Sequence, residues 1–268
     1  MSEIPRSLKA TLKRLRLSGI LHTLDDRLSY ARKDSLSMLE FLELVLQDEI
    51  ERRDQKGLAL RLAKAGFDLD QTLESFDLDG PVSLDRQRVR DLFGLGFVAG
   101  REDVILLGPV GVGKTHLAAA LGHAACRAGH QVLFLRAEKA LKLLHQSRAD
   151  NSTEKVMRRL LTPDVLILDD FGLRPLDSQQ SSDFYELVIE RHRRSSTIVT
   201  SNRAIEEWIP LFADPILAQS ALDRLAHNAH QLVLEGESYR RLQRPGAAAA
   251  EAGSESGGGA SQARSHVS

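Results

Sequence analysis

Cysteine is nearly absent from this chain of 268 residues: Cys126 stands alone. No internal disulfide can form, and a cysteine-cluster metal site is excluded. The lone thiol falls in a run that reads as a helix, where a small buried residue is the plain expectation. An excess of charge of either sign is also lacking, since the formal net charge is −1. The chain as a whole is no polycation, so any contact with nucleic acid has to come from local basic patches. Long apolar runs are missing too. None approaches the ~18–20 residues of a membrane span. The basic stretch MSEIPRSLKATLKRLRLSG lacks the apolar segment that a secretory signal needs. A cytoplasmic protein without membrane contact is expected.

What is present fits an ordinary soluble protein, with 42% hydrophobic and 27% charged residues. The length suits one α/β core, alone or with a small accessory domain. Residues 1–66 read as a helical domain for contact with a partner or DNA. Leu8, Leu12 and Leu15 recur at helical spacing, as do Leu39, Leu42, Leu46 and Ile50. Pro5 suits a first helical turn. The mixed acids and bases of 49–64 read as a mostly solvated helix face. Residues 67–102 read as a connector, with Phe76 as an anchor and SLDRQRVRDLF as a short helix capped by Ser83.

Over 103–244 short β-rich runs alternate with helices. They are VILLG (104–108), QVLFLR (131–136), VLILD (165–169), TIVTS (197–201) and QLVLEG (231–236). Continuous apolar strands between helices indicate a five-stranded parallel sheet covered on both faces. Residues 245–268, rich in Ala, Gly and Ser, read as a disordered tail with no assigned role.

The run GPVGVGKT at 108–115 has the pattern G-x-x-x-x-G-K-[ST], with a strand before it and the helical THLAAALGHAA continuing it. Gly108, Gly111 and Gly113 let the backbone turn tightly and aim N–H groups at phosphate oxygens. Pro109, Val110 and Val112 complete the loop and His116 follows it. The helix start adds partial positive charge. Lys114 is placed to neutralise β- and γ-phosphates, and the Thr115 hydroxyl to ligate Mg²⁺. An ATP and Mg²⁺ site of the P-loop type is expected, and with it an ATPase.

Two carboxylates end VLILDD. Asp169 is placed to hold Mg²⁺, directly or through water, and Asp170 to orient and deprotonate an attacking water. Alone, such a pair after a strand reads as a turn or helix cap; beside a P-loop it reads as catalytic. Asn202 ends TIVTSN. If that strand lies between those of the P-loop and of Asp169, its amide can hold the nucleophilic water. By itself it reads equally as a loop cap. The extra strand argues against a small-molecule kinase or a GTPase, and no guanine-reading Asn-Lys-x-Asp pattern follows. Arg224, in LDRL, is open to two readings on spacing: a surface arginine, or an arginine finger for a neighbouring subunit.

These residues resemble the AAA+ helper proteins of insertion sequences, the IstB group, and the related DnaC-type helicase loaders. The resemblance rests on GPVGVGKTHLAAALGHAACRAG, VLILDDFGLRPLD, IVTSNRAIEEWIPLFADPILAQSALDRL and GESYR, and covers about 8–244. FLELVLQDEIERRDQKGLALRLAKAGF followed by TLESFDLDG is similar to the helpers rather than the loaders. The resemblance implies an AAA+ core after a small helical domain, assembly on DNA as an ATP-bound homo-oligomer, and a partner transposase of the same element. It implies Asn202 as sensor and Arg224 as finger, and places Arg240 of GESYR near the nucleotide. Apart from the tail almost no chain follows the fifth strand, so a minimal lid or none is expected. Asp170 stands where many relatives carry Glu, and Gln71 where they often carry a basic residue.

Duplex DNA contact is expected along Lys139, Lys142, Arg148, Lys155, Arg158 and Arg159. A second candidate is Lys9, Lys13, Arg14 and Arg16, with Lys9, Lys13 and Arg16 on one helix face. A solvated helix surface is the alternative for both. Neither has the interleaved aromatics of a single-strand platform. A transposition helper is the leading expectation and a replicative helicase loader the alternative.

Overall fold

The computed structural model describes residues 4–76, 82–236 and 238. The chain divides into two compact units, with the boundary after Ala63. In the first, helices α1 (Arg6–Arg14), α2 (Ile20–Lys33) and α3 (Met38–Ala65) follow one another. Ser37 and Glu40 exchange hydrogen bonds at the start of α3, a capping box. The small core is Ile4, Ile20, Leu24 and Val45, with Leu12, Leu17, Leu28 and Phe41 against it. The sequence reading is refined at two points here and corrected at a third. The stripe Leu39, Leu42, Leu46 and Ile50 does lie on a helix, but its face is exposed. Glu49 is no solvated residue. It is buried and held by Arg52 and Arg53 at 2.8 Å each, and chiefly the Arg52 hydrogen bond lowers its carboxyl to about 2. Arg16 lies past the end of α1 with φ 58°, off the helix face of Lys9 and Lys13.

The second unit opens with the connector. Phe76 is buried there, edge-on to His116 at 5.4 Å between ring centroids. Strand β1 (Val82–Ser83) precedes α4 (Arg86–Phe93) and α5 (Gly96–Gly100). Ser83 does not cap α4. Asp85 does, accepting from the Gln87 and Arg88 amides at 3.1 Å, because its side chain sits directly before the first helical turn.

The core then alternates: β2 (Asp103–Leu107), α6 (Lys114–Arg127), β3 (Val132–Arg136), α7 (Ala137–Ser147), α8 (Thr153–Leu161), β4 (Val165–Asp169), α9 (Ser178–Arg191), β5 (Ser196–Ser201), α10 (Pro215–His227) and β6 (Ala229–Val233). Among the described residues five strands form one parallel sheet in the order β3-β4-β5-β2-β6. Every residue of β2, β4 and β5 is buried, which explains the apolar runs of β2 and β4; β5 instead buries Ser196, Thr197, Thr200 and Ser201 around its Ile198 and Val199. The expected fifth strand is split. Residues 229–233 pair with β2, while β7 (Glu235–Gly236) turns away to pair antiparallel with β1.

Small residues of α6, among them Ala118, Ala119, Ala125 and Cys126, are fully buried. The cluster containing Leu133, Leu166, Leu168 and Val199 packs with α7 to α10. The scarce aromatics concentrate there: Phe171 stacks on Phe184 at 4.6 Å and meets Trp208 at 4.7 Å. This cluster anchors the turn that follows β4. Since β2, β4 and β5 are parallel neighbours through β5, their carboxyl ends bring three loops together.

Candidate functional site

The loop after β2 runs through Gly108, Pro109, Val110, Gly111, Val112 and Gly113 into α6, whose first residues are Lys114, Thr115 and His116. Gly108 has φ 144°, and a Cβ there would meet the Leu234 carbonyl oxygen at 2.1 Å. Both the conformation and the close backbone demand glycine. Gly113 caps α6 at φ 96°. Val112 is buried, while Pro109 and Val110 are exposed. Lys114 is buried, with its ammonium donating to the Gly108 and Pro109 carbonyls at 2.8 and 2.7 Å. The helix start and this lysine give the loop a concentrated positive potential.

His116 faces the connector. Its Nε2 lies 3.1 Å from the Thr72 carbonyl and 3.0 Å from Ser75 Oγ. A carbonyl oxygen only accepts, so this geometry assigns the proton to Nε2.

The carboxylates of β4 meet the loop directly. Thr115 Oγ1 donates to Asp169 Oδ1 at 2.9 Å, and Thr200 Oγ1, from β5, donates to the same oxygen at 2.7 Å. Burial raises the Asp169 carboxyl above its ordinary range. The two hydroxyls and Arg136 oppose that rise, and the Asp170 charge adds to it. Asp170 is half-buried with φ 56°, and its amide donates to Thr200 Oγ1 at 2.9 Å.

Asn202 follows β5, which does lie between β2 and β4, and its side chain is exposed. The turns after β4 and β5 are laced together. Phe171 N donates to Thr200 O, Ser201 Oγ to Phe171 O, and Arg203 Nε to Gly172 O, each at 2.8 Å.

A family model described as IstB-like ATP binding protein matches residues 10–247. The chain belongs to that family. An ATP-binding protein in an insertion sequence of Mycobacterium tuberculosis is 42% identical over 92% of this chain and 98% of its own. An insertion-sequence ATP-binding protein of Pseudomonas aeruginosa is 41% identical over 87% of this chain and 88% of its own. Among solved structures, the DnaC helicase loader is similar with a TM-score of 0.52 and 20% identity, over 62% of this chain and 97% of that one. The replication initiator DnaA, bound to AMPPCP and single-stranded DNA, gives 0.51 and 18%, over 64% and 51%. These likenesses show the AAA+ P-loop fold.

In this IstB-like chain the structure brings Gly108–Thr115, Asp169, Asp170 and Asn202 to one end of the sheet. Arg224 lies in the last turn of α10, half-buried, donating to Ser220 O and Oγ at 2.8 and 2.6 Å. Arg240 is outside the described residues. Lys139 and Lys142 on α7, and Lys155, Arg158 and Arg159 on α8, are all exposed, and none forms an ion pair among the described residues. Arg148 is different: it is ion-paired with the fully buried Asp183 of α9, which ties the α7–α8 connection down.

Sequence reading missed Thr200, Ser201, Arg203 and Arg136. Arg136 ends β3 in register with Asp169. The TSNR run carried the first three in plain view, but only strand order shows that Thr200 reaches Asp169.

Proposed function

We propose that this IstB-like protein hydrolyses ATP and uses the ATP-bound state to assemble on duplex DNA and engage the transposase of its element. The observation that carries the reading is the Thr115–Asp169 contact, a hydroxyl and a carboxylate 2.9 Å apart at the foot of a P-loop. An all-oxygen pair of this kind suits Mg²⁺, which keeps water and phosphate among its ligands and needs no protein cage. Among the described residues no group of three or more His, Cys, Asp or Glu forms such a cage. When bound, the ion supplies charge neutralisation between the β- and γ-phosphates.

The chain's own groups then divide the work. The amides of 111–115 and the Lys114 ammonium hold the phosphates. Thr115 and Asp169 hold the ion. Asn202 orients a water, and the Asp170 carboxylate accepts its proton as the water oxygen bonds to the γ-phosphorus. The bond to the β–γ bridging oxygen breaks and ADP leaves. Arg224 acts on the ATP of the adjacent protomer. Duplex DNA runs along the basic residues of α7 and α8. The match across 98% of an insertion-sequence relative favours a transposition helper over a helicase loader, to which only the fold is common.

Two variants test the chemistry. Lys114→Ala should lose binding of a fluorescent ATP analogue, because the cation facing the phosphates is gone. Asp170→Asn should bind it normally but release phosphate about 10²-fold slower or worse, since an amide takes no proton. Asparagine tolerates the left-handed backbone at this position, so folding should be kept. Unchanged ATP affinity in the Lys114 variant would overturn the phosphate-site assignment.

A further inference from the structure

Thr200 is fully buried at the end of β5, and sequence patterns give it no role. A threonine hydroxyl has one proton to give and lone pairs to receive with. Here the proton goes to Asp169 Oδ1 at 2.7 Å, and a lone pair takes the Asp170 amide at 2.9 Å. The same residue's carbonyl takes the next amide, that of Phe171, at 2.8 Å. One side chain thus touches the proposed ion ligand and, through its backbone, the proposed base. Asp170 is held at φ 56°, in the left-handed region that Asp and Asn enter more readily than other residues with a Cβ. The Thr200 hydroxyl holds the amide of this left-handed residue and the Thr200 carbonyl holds the amide that follows it, so the turn carrying Asp170 is fixed from β5.

Thr115 shares Asp169 Oδ1 with Thr200. Thr115 is also the hydroxyl assigned to the ion, so its proton is not dedicated to Asp169. Thr200 has no such second duty. It stays on Oδ1 and leaves the other carboxylate oxygen for the ion.

We propose that Thr200 is a positioning residue for ATP hydrolysis, whose single hydroxyl sets the Asp169 carboxylate toward Mg²⁺ and the Asp170 backbone toward the attacking water. The proposal rests on the roles given above to Asp169 and Asp170. It predicts that the hydroxyl, and not merely the volume at this position, is required for the chemical step.

The test compares full-length wild type, Thr200→Val, Thr200→Ser and Asp170→Asn. A fluorescent ATP analogue is titrated with Mg²⁺ and again with EDTA, and hydrolysis is followed at saturating ATP. Thr200→Val should bind in EDTA as wild type does, but gain about tenfold less from Mg²⁺. Its saturating rate should fall about 10- to 100-fold, the range commanded by one hydrogen bond to a charged group. Thr200→Ser should recover to within about threefold, because it restores the donor.

A Val variant with the wild-type rate and Mg²⁺ response overturns the proposal, as does a Ser variant as slow as Val. If Val misfolds by circular dichroism, Thr200→Ala serves as the hydroxyl-free variant. If that also fails to fold, Thr200 is a structural residue and the proposal is rejected. Wild type without ATPase activity, or an Asp170→Asn rate equal to wild type, would instead sink the underlying reading. With both controls as expected, an unaffected Thr200→Val sinks this proposal alone.

Discussion

Buried ionisable side chains occur at both ends of the sheet, but they do different work. At the amino ends of β2 and β5, Asp103 Oδ1 accepts the Thr197 amide at 2.7 Å. Arg191 donates to the carbonyls of Leu160, Pro163 and Ser196, and to Thr197 Oγ1. This end lies away from the phosphate loop, and the pair is read as structural. Burial pushes the Asp103 carboxyl up from 3.8 to about 7 and the Arg191 guanidinium down to about 10. The sign follows directly. Between pH ~4 and ~7 the folded chain holds a proton on Asp103 that the unfolded chain has released, so this residue's contribution to stability falls as pH rises through that window. Asp103→Asn keeps an acceptor for Thr197 and cannot ionise. It should melt with wild type near pH 4 and above it at pH 8, by at least the ~2–4 °C that 1 kcal/mol gives in a domain of this size. Melting curves at the two pH values check this. A lower melting point at pH 8 would mean that attraction to Arg191 outweighs burial of the anion.

At the scale of elements, the strands were legible because burial on both faces leaves short apolar runs, or in β5 a β-branched run of Thr, Ile and Val, between helices. VLILD and its neighbours appear at or within one residue of their expected bounds. The phosphate loop was legible because its glycines answer a backbone need that sequence records. What sequence hid were decisions made by tertiary contact. QLVLEG is one β-rich run, yet its last residues leave the sheet for β1 because the main-sheet pairing with β2 ends at Val233. Arg148 looked like its basic neighbours, yet the buried Asp183 claims it. The remaining bases belong to α7 and α8, where Leu141, Leu144, Met157 and Leu160 are buried and leave the cations outside. A prediction belongs to α8. Replacing Lys155, Arg158 and Arg159 together by Ala leaves the buried face of the helix intact, so the melting temperature should barely move. Duplex affinity should weaken regardless of sequence, and the slope of log K against log salt should flatten by roughly one unit for each phosphate no longer neutralised. Anisotropy titrations across salt concentrations measure it; a wild-type slope places the DNA path elsewhere.

Across the whole molecule, the proposed ATP-dependent assembly requires each protomer to complete its neighbour's site, and Arg224 is the residue proposed for that task. Its guanidinium donates to Ser220, one turn back on α10, and no carboxylate pairs with it among the described residues. A guanidinium so placed keeps donors for a phosphate brought by another subunit. Arg224→Ala should bind ATP like wild type and lose hydrolysis by about 10³–10⁵, the scale of an arginine finger acting on transition-state charge. A surface arginine of α10 would change the rate far less. Mixing separates the two readings more sharply than either rate. An Arg224→Ala protomer has an intact pocket, and a Lys114→Ala protomer has an intact finger. Interfaces that join the two unaltered halves should recover part of the phosphate release that both variants lack alone. Co-assembly is checked by sedimentation of the mixture with ATP and duplex DNA. If the mixed assemblies form and still release no phosphate, Arg224 does not act across the interface, and its contacts with Ser220 are its role.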